Sequence, residues 1–110
     1  MVQQVTPAVA AQLIESGTAL VVDVREFHEW ATGHIPGAQH APLSRLRQSP
    51  KSFLQRDKLI FACAAGSRSK LAAQLAVALG FSEVYNLAGG TQAWRSAGLQ
   101  LVLPQQQATG

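Results

Sequence analysis

Residues 58–70 read Lys58-Leu-Ile-Phe-Ala-Cys-Ala-Ala-Gly-Ser-Arg-Ser-Lys70, and this stretch decides the fold. The run from Lys58 to Ala62 is almost wholly apolar, which is typical of a strand buried on both faces of a parallel sheet. After it, Leu71, Leu75 and Leu79 recur every fourth residue and Gly80 follows. This spacing predicts a helix from Ser69 to Leu79 with the leucines on its buried face. A buried strand that leads into a helix is the repeating unit of α/β proteins.

Other strands are predicted on either side of this stretch. Ala19 to Val24 has five apolar residues in six and is also expected to be buried on both faces. Glu83 to Asn86 is a shorter candidate. Leu99 to Leu103 is interpreted either as a last strand or as an extended segment that covers the core.

Helices are predicted between these strands. Thr6 is an N-cap residue with Pro7 at the first helical position, and Ser16-Gly17 ends that segment. Its apolar face is expected to comprise Val9, Leu13 and Ile14. A further helix is predicted over 91–97, closed by Gly98, and short ones over 26–31 and 43–48.

This alternation predicts an α/β fold with a mostly parallel sheet and helices on both faces. The length of 110 residues suits one domain, which we assign to residues 1–103. Residues 104–110 have nothing to bury and are expected to form a mobile C-terminal tail.

Composition narrows the class of protein. An apolar fraction of 47% argues against disorder, and no apolar run approaches the roughly 20 residues that span a bilayer. The beginning of the chain does not resemble a secretory signal, so we expect a cytoplasmic protein. A net charge of +3 without a basic cluster favours a small anion over nucleic acid as the ligand. The single cysteine excludes an internal disulfide and a multi-cysteine metal site.

That cysteine, Cys63, lies directly after the predicted strand 58–62. In parallel α/β sheets, ligands bind outside the carboxyl ends of the strands. Residues 64–67 are small, so their backbone N–H groups can converge on one point beside the N-terminus of the next helix. Together with the charge of Arg68, this arrangement should lower the pKa of the thiol. A lone cysteine is usually a core residue, but this position favours a nucleophile that carries or attacks an anion.

The segment Cys63-Ala-Ala-Gly-Ser-Arg68 resembles the active-site loop of rhodanese-type sulfurtransferases. Three further stretches match that family in order. They are Asp23-Val24-Arg25-Glu26, Glu29 to Ala38 with its Gly-His-Ile-Pro-Gly-Ala ending, and Leu87 to Trp94 with its Gly-Gly and Ala-Trp pairs. The resemblance covers about residues 4–102, nearly the whole chain.

The resemblance implies a single rhodanese-like domain with about five parallel strands. It implies that Cys63 takes sulfane sulfur from thiosulfate or another persulfide donor and passes it to cyanide or a thiol. No metal or organic cofactor is implied. The residues expected to bind the substrate are those of the loop: Ala64, Ala65, Gly66, Ser67 and Arg68.

Two alternatives remain beside this reading. The cell-cycle dual-specificity phosphatases and arsenate reductases of similar fold have five residues between cysteine and arginine, whereas only four separate Cys63 from Arg68. The shorter loop suits a single sulfur better than a phosphate, so this alternative is disfavoured. The other alternative is a persulfide carrier that delivers sulfur to a partner protein, and acceptor preference would distinguish it.

The remaining polar residues are assigned mainly to structural roles. Asp23 and Arg25 are expected to be a buried pair, although a place in the site stays open. Ser67 is interpreted either as a ligand of the transferred sulfur or as a helix cap, with Ser69 as the other candidate cap. Lys70 is expected to add to the electric field. Other expected roles are structural or surface positions for His28, His34 and His40, solvated charges for Glu26 and Glu29, a tight turn for Gly89-Gly90, and core packing for Trp94.

Overall fold

The computed structural model describes residues 1–107, and over this range the chain forms five strands and seven helices. The strands are β1 (Val2–Val5), β2 (Leu20–Asp23), β3 (Gln39–His40), β4 (Leu59–Ala62) and β5 (Val84–Leu87). The helices are α1 (Pro7–Glu15), α2 (Phe27–Trp30), α3 (Leu43–Gln48), α4 (Pro50–Phe53), α5 (Ser67–Ala78), α6 (Gly90–Ser96) and α7 (Pro104–Gln107).

All five strands lie parallel in one sheet of order β1-β5-β4-β2-β3. β4 lies at the centre, and all four of its residues are buried. Its neighbours are in register, with Phe61 opposite Val22 of β2 and opposite Asn86 of β5. The predicted parallel α/β fold is therefore confirmed, and the carboxyl end of the central strand is where Cys63 follows.

The two edge strands were not predicted from the sequence. β1 has two exposed glutamines and β3 has only two residues, so neither shows an apolar run. The candidate strand 99–103 does not join the sheet. Instead Val102 forms an antiparallel bridge with His34 through two backbone hydrogen bonds of 2.8 Å. This segment is thus the extended cover, which was the other interpretation of that stretch.

Helices pack on both faces of the sheet and give two cores. Val22 and Phe61 belong to one core, which contains α3 and α5, while Val21 and Ile60 belong to the other, which contains α1 and α6. Successive residues of β2 and β4 thus point into opposite cores. The prediction that both strands are buried on both faces is confirmed.

The helix that follows Cys63 buries a different face from the predicted one. The buried side of α5 consists of Ser69, Ala72, Ala73 and Ala76, whereas Leu71 is 54% exposed. Alanine has no side chain beyond Cβ, so this face lets the helix lie close to β4 and β5. The leucine periodicity marked the existence of the helix correctly and its buried side wrongly.

The first helix, α1, also differs in one detail from its prediction. Thr6 caps α1 as predicted, since its hydroxyl accepts a hydrogen bond from the backbone N–H of Val9. The buried residue is Ala10, and the side chain of Val9, assigned to the apolar face, is 43% exposed.

The shorter helices largely match the positions predicted from the sequence. α2, α3 and α6 lie where they were expected, and α4 is an additional turn that begins at Pro50. α7 forms a helical turn within the stretch expected to be a mobile tail, and residues 108–110 of that tail lie outside the described residues. No helix within residues 1–107 is long and apolar enough to cross a lipid bilayer.

Candidate active site

Cys63 follows the last residue of β4 and begins a tight loop into α5. Gly66 is the N-cap of that helix and has φ +108°, a left-handed conformation that strongly favours glycine. Neither Ser67 nor Ser69 occupies the cap position, because the helix begins at Ser67 rather than at Ser69 as predicted. The loop thus turns within residues 64–66 and brings the first turn of α5 back toward the cysteine.

The sulfur of Cys63 is surrounded by hydrogen-bond donors. The backbone N–H of Gly66 lies 3.1 Å from Sγ, and the Ser69 hydroxyl lies 3.3 Å from it. Burial raises the pKa of the thiol, but the Ser69 hydroxyl and the backbone N–H groups of Ser69, Gly66 and Ala65 outweigh burial and lower the pKa below its ordinary value. Of the loop amides expected to converge on the sulfur, Gly66 is hydrogen-bonded to Sγ and Ala65 contributes to the lowered pKa, and α5 adds the Ser69 hydroxyl, which was not foreseen.

Ser69 and Asn86 form a buried polar pair behind the cysteine. The Ser69 hydroxyl lies 2.6 Å from Oδ1 of Asn86, and the Asn86 amide donates to the carbonyl of Gly66 at 3.2 Å and to Gln4 Oε1 at 3.1 Å. The pair therefore fixes the turn of the loop and orients the hydroxyl beside Sγ. Sequence reasoning missed Asn86, although a polar residue within a short apolar strand was an available signal.

Arg68 is held by a partner on another helix. Its guanidinium donates two hydrogen bonds, of 2.7 and 2.9 Å, to the two carboxylate oxygens of Glu29 in α2. Glu29 also accepts a hydrogen bond from the backbone N–H of Glu26. The Arg68 hydrogen bond is the main reason that the pKa of Glu29 is lowered to about 2, and the same bond raises the pKa of Arg68. The expectation that Glu29 is a solvated charge is therefore wrong, because Glu29 ties α2 to the active-site loop.

Gly89 and Gly90 make the tight turn that was predicted beside the loop. The backbone of α6 lies against it, since Thr91 N–H donates to the carbonyl of Cys63 at 2.8 Å. A Cβ atom on Gly90 would overlap the carbonyl oxygen of Cys63 and lie 2.6 Å from the carbonyl group of Ala64. The close approach of α6 to the loop therefore requires glycine at this position. Trp94 packs in the core as expected, with its indole N–H donating to the Gln100 carbonyl at 2.9 Å.

Asp23 and Arg25 form the buried pair that was favoured from the sequence. The guanidinium of Arg25 donates to both carboxylate oxygens of Asp23 and, at 2.7 Å, to the carbonyl of Gly33. Arg25 nevertheless lines an open cleft next to Ala64. Its guanidinium is thus bound to Asp23 and Gly33 at the edge of the site.

The histidines occupy structural or surface positions, as predicted. His34 is buried and stacks on Trp30 with ring centres 3.6 Å apart, and its Nδ1 donates to the carbonyl of Ile35. His40 stacks on the same indole, and His28 is exposed. Ser67 and Lys70 are also exposed at the start of α5.

Comparisons with known proteins agree with this geometry. Residues 6–97 match the sequence profile of the rhodanese-like domain. The chain is 38% identical over 94 residues to the thiosulfate sulfurtransferase GlpE of Pseudomonas fluorescens, covering 86% of this chain and 85% of that protein.

Two solved structures are also similar. The human single-domain sulfurtransferase TSTD1 superposes with a TM-score of 0.75 at 34% identity, covering 84% of this chain and 95% of that one. A Rhodopseudomonas palustris protein of unknown function, described as a possible tyrosine phosphatase, gives 0.80 at 36% identity, covering 92% and 85%. The profile match extends over most of the chain, and the loop, the buried Asp-Arg pair and the glycine turn lie within it. The chain therefore belongs to the rhodanese-like domain family.

Proposed function

We propose that this protein is a thiosulfate sulfurtransferase in which Cys63 is the nucleophile. The observation that carries the proposal is the set of donors directed at Sγ, which favours a thiolate at the carboxyl end of the central strand. A thiolate is the form that attacks sulfur. The similarity to GlpE, a thiosulfate sulfurtransferase, supports the same activity here.

The first half-reaction is a displacement at sulfur. The Cys63 thiolate attacks the outer sulfur of thiosulfate, a new S–S bond forms, and the old S–S bond breaks with its electron pair leaving on sulfite. The product is an anionic Cys63 persulfide, and the total charge of −3 is conserved. Sulfite leaves as a dianion, so this step needs no proton donor.

The loop supplies the stabilisation that this step requires. We assign Ala64, Ala65, Gly66, Ser67 and Arg68 to substrate binding, mainly through their backbone N–H groups, which would hold the outer sulfur of the persulfide as the N–H of Gly66 holds Sγ. Since Arg68 is bound to Glu29, its guanidinium would fix the loop and contribute charge that is partly neutralised.

The second half-reaction returns the thiolate. A thiol or cyanide attacks the outer sulfur of the persulfide, and the Cys63 thiolate leaves with the electron pair of the S–S bond. A reducing compartment such as the cytoplasm would supply thiol acceptors and keep Cys63 reduced. The other acceptor that the chemistry allows is a cysteine of a partner protein.

A phosphatase activity is disfavoured by the loop. Only four residues separate Cys63 from Arg68, and this short loop suits one sulfur better than a tetrahedral oxyanion. No residue between Cys63 and Arg68 is acidic, and a general acid for a leaving alkoxide is thus missing from the loop.

Intact-protein mass spectrometry tests the proposal. Incubation with thiosulfate should add one sulfur atom, mapped to Cys63, and cyanide should remove it as thiocyanate. Cys63→Ser should keep the fold by circular dichroism, gain no sulfur and produce no thiocyanate. A wild-type protein that gains no sulfur, or a serine variant that still forms thiocyanate, would refute the assignment.

The rate of the second half-reaction separates an enzyme from a persulfide carrier. The loaded protein is mixed with cyanide or with dithiothreitol, and the loss of the added mass is followed in time. Rapid turnover with these small acceptors is expected for the enzyme. A persulfide that survives both reagents would instead indicate delivery to a specific partner protein.

A further inference from the structure

The positive charge of Arg68, which would attract an anionic sulfur donor, is already paired within the protein. Both guanidinium hydrogen bonds of Arg68 that the structure shows end on the Glu29 carboxylate. The positive charge of Arg68 is therefore offset by a carboxylate beside the loop. Thiosulfate, a dianion, would need another cation close to Cys63.

An open cleft of about 280 Å³ adjoins the loop at Ala64, the residue after Cys63. Its other side is formed by α6, which is fixed to the loop by two backbone hydrogen bonds. Thr91 N–H donates to the Cys63 carbonyl at 2.8 Å, and Gln92 N–H donates to the Ala64 carbonyl at 3.1 Å. Groups on this face of α6 therefore keep a fixed position relative to the cysteine.

The cleft is lined by His28, by Glu29, whose carboxylate is paired with Arg68, and by two arginines whose guanidinium groups differ in their availability to a ligand. Arg25 is buried and its guanidinium is bound to Asp23 and to the Gly33 carbonyl. Arg95 is exposed, and among residues 1–107 no carboxylate lies within ion-pair distance of it. It follows Thr91 by four residues, so both lie on the same face of α6. Arg95 is thus the arginine of the cleft whose charge is available to a ligand.

We propose that Arg95 binds the sulfonate end of the sulfur donor and determines specificity for an anionic donor. The proposal rests on the sulfurtransferase function proposed above. The outer sulfur of thiosulfate must meet Cys63 Sγ, and the proposal places its sulfonate oxygens in the cleft that begins at Ala64, the next residue. A guanidinium there would pair with two of these oxygens and then hold the leaving sulfite.

Substitution of Arg95 tests this assignment in the full-length protein. Arg95→Gln should lower kcat/KM for thiosulfate about tenfold, mostly through KM, since a charge-assisted hydrogen bond contributes roughly that factor. Inhibition by added sulfite should weaken in parallel. Arg95→Lys keeps the charge but loses the planar guanidinium, so its kcat/KM for thiosulfate should lie between those of wild type and Arg95→Gln.

The matched control is Arg56→Gln. Arg56 is also an exposed arginine, but it precedes β4, whereas Cys63 follows it. Arg56 therefore lies at the amino ends of the strands, away from the carboxyl ends where the site is. The Arg56→Gln variant loses the same charge and should have a kcat/KM for thiosulfate within about twofold of wild type. An equal loss in both variants would show an effect of net charge alone and would overturn the proposal.

The second half-reaction gives an internal control. Once the persulfide has formed, its removal by uncharged dithiothreitol should proceed equally fast in wild type and Arg95→Gln. Unchanged thiosulfate kinetics in Arg95→Gln would overturn the role of Arg95 and leave the sulfurtransferase function intact. A wild-type protein that forms no persulfide would instead refute the proposed function itself.

Discussion

At the scale of single residues, the hydroxyl of Ser69 has two acceptors and one proton. It lies 2.6 Å from Asn86 Oδ1 and 3.3 Å from Cys63 Sγ, and a hydroxyl can donate to only one of them at a time. Donation to Sγ favours the thiolate, whereas donation to Asn86 leaves the sulfur to the backbone N–H groups. The acidity of Cys63 is therefore coupled to the orientation of one buried side chain.

Replacement of this hydroxyl should make the cysteine less acidic. Ser69→Ala removes one donor to Sγ and keeps the backbone N–H of residue 69, so the pKa of Cys63 should move upward toward its ordinary value. Loss of one hydrogen bond should slow persulfide formation at pH 7 roughly threefold to tenfold. The pH dependence of alkylation by iodoacetamide measures the shift.

Ser67→Ala is the matched control for this experiment. Ser67 is exposed and lies in the same turn of α5, so its substitution should leave the alkylation midpoint unchanged. A midpoint in Ser69→Ala equal to that of wild type would contradict the role of the hydroxyl. Urea unfolding of each variant separates this effect from a loss of stability.

At the scale of elements, the site is a junction between a loop and the start of α6. Gly90 has φ +61°, and a side chain there would collide with the backbone of Cys63 and Ala64. Gly98, beyond the other end of α6, has φ +81° but has open space around a Cβ position. A comparison of substitutions at the two glycines therefore separates the cost of backbone strain from the cost of steric overlap.

Alanine at these two positions should have unequal costs. Gly90→Ala combines left-handed strain with overpacking and should destabilise the fold by about 3 kcal/mol, while Gly98→Ala should cost about 1 kcal/mol from strain alone. The midpoint of urea denaturation measures both. Because the clash is with the cysteine's own carbonyl, Gly90→Ala should also slow sulfur transfer. Equal costs for the two variants would show that the contact with the loop is unimportant.

The sequence predicted the elements that form the centre of the fold better than those at its margins. β2 and β4 are buried on both faces, so their apolar runs identify them without knowledge of their neighbours. β1 carries polar residues on an edge, where pairing rather than composition creates the strand. The buried face of α5 could not be found from hydrophobicity because the alanine face, not the leucine stripe, meets the sheet.

In the candidate site, too, some residues could be predicted from the sequence and others could not. Cys63 and its loop are contiguous in the sequence, so their position after a strand was sufficient to identify them. Glu29, Ser69 and Asn86 act through contacts that depend on strand order and helix placement. Asn86 lies beside the loop only because β5 is the neighbour of β4. A local pattern can mark such a residue, as the polar Asn86 within an apolar strand does, but its partner is decided by the fold.

At the scale of the whole molecule, carboxylates link separate segments and make stability depend on pH. Glu29 joins α2 to the start of α5, and Asp57 accepts hydrogen bonds from the backbone of Lys58, Ser82 and Glu83. Hydrogen bonds with Ser82 are the main cause that lowers the pKa of Asp57. A carboxylate whose pKa is lowered by folding stabilises the native state only while it is ionised.

Acid should therefore weaken the fold, in part through Glu29. Its pKa falls from 4.5 to about 2 on folding, so its contribution is complete above pH 4.5 and is lost as the pH falls toward 2. Glu29→Gln should lower the free energy of unfolding by about 1 kcal/mol at pH 7 and reduce its fall between pH 4.5 and 2. Urea titrations across this range measure both effects.

Glu15→Gln is the comparison variant, because Glu15 is an exposed carboxylate at the end of α1. It should retain the wild-type dependence on pH. A Glu29→Gln protein with the same acid profile as wild type would show that the ion pair with Arg68 contributes nothing to stability. Asp57 is present in all three proteins and leaves a residual dependence in each.

The position of β5 between β1 and β4 has a consequence for synthesis. A nascent chain that has emerged from the ribosome only as far as residue 83 lacks the strand on which β1 pairs, and it also lacks Asn86 behind the loop. Parallel pairings between segments so distant in sequence form late. Cys63 and its donors Gly66 and Ser69 are thus translated well before Asn86, and an unfinished chain lacks the side chain that holds these donors around the sulfur.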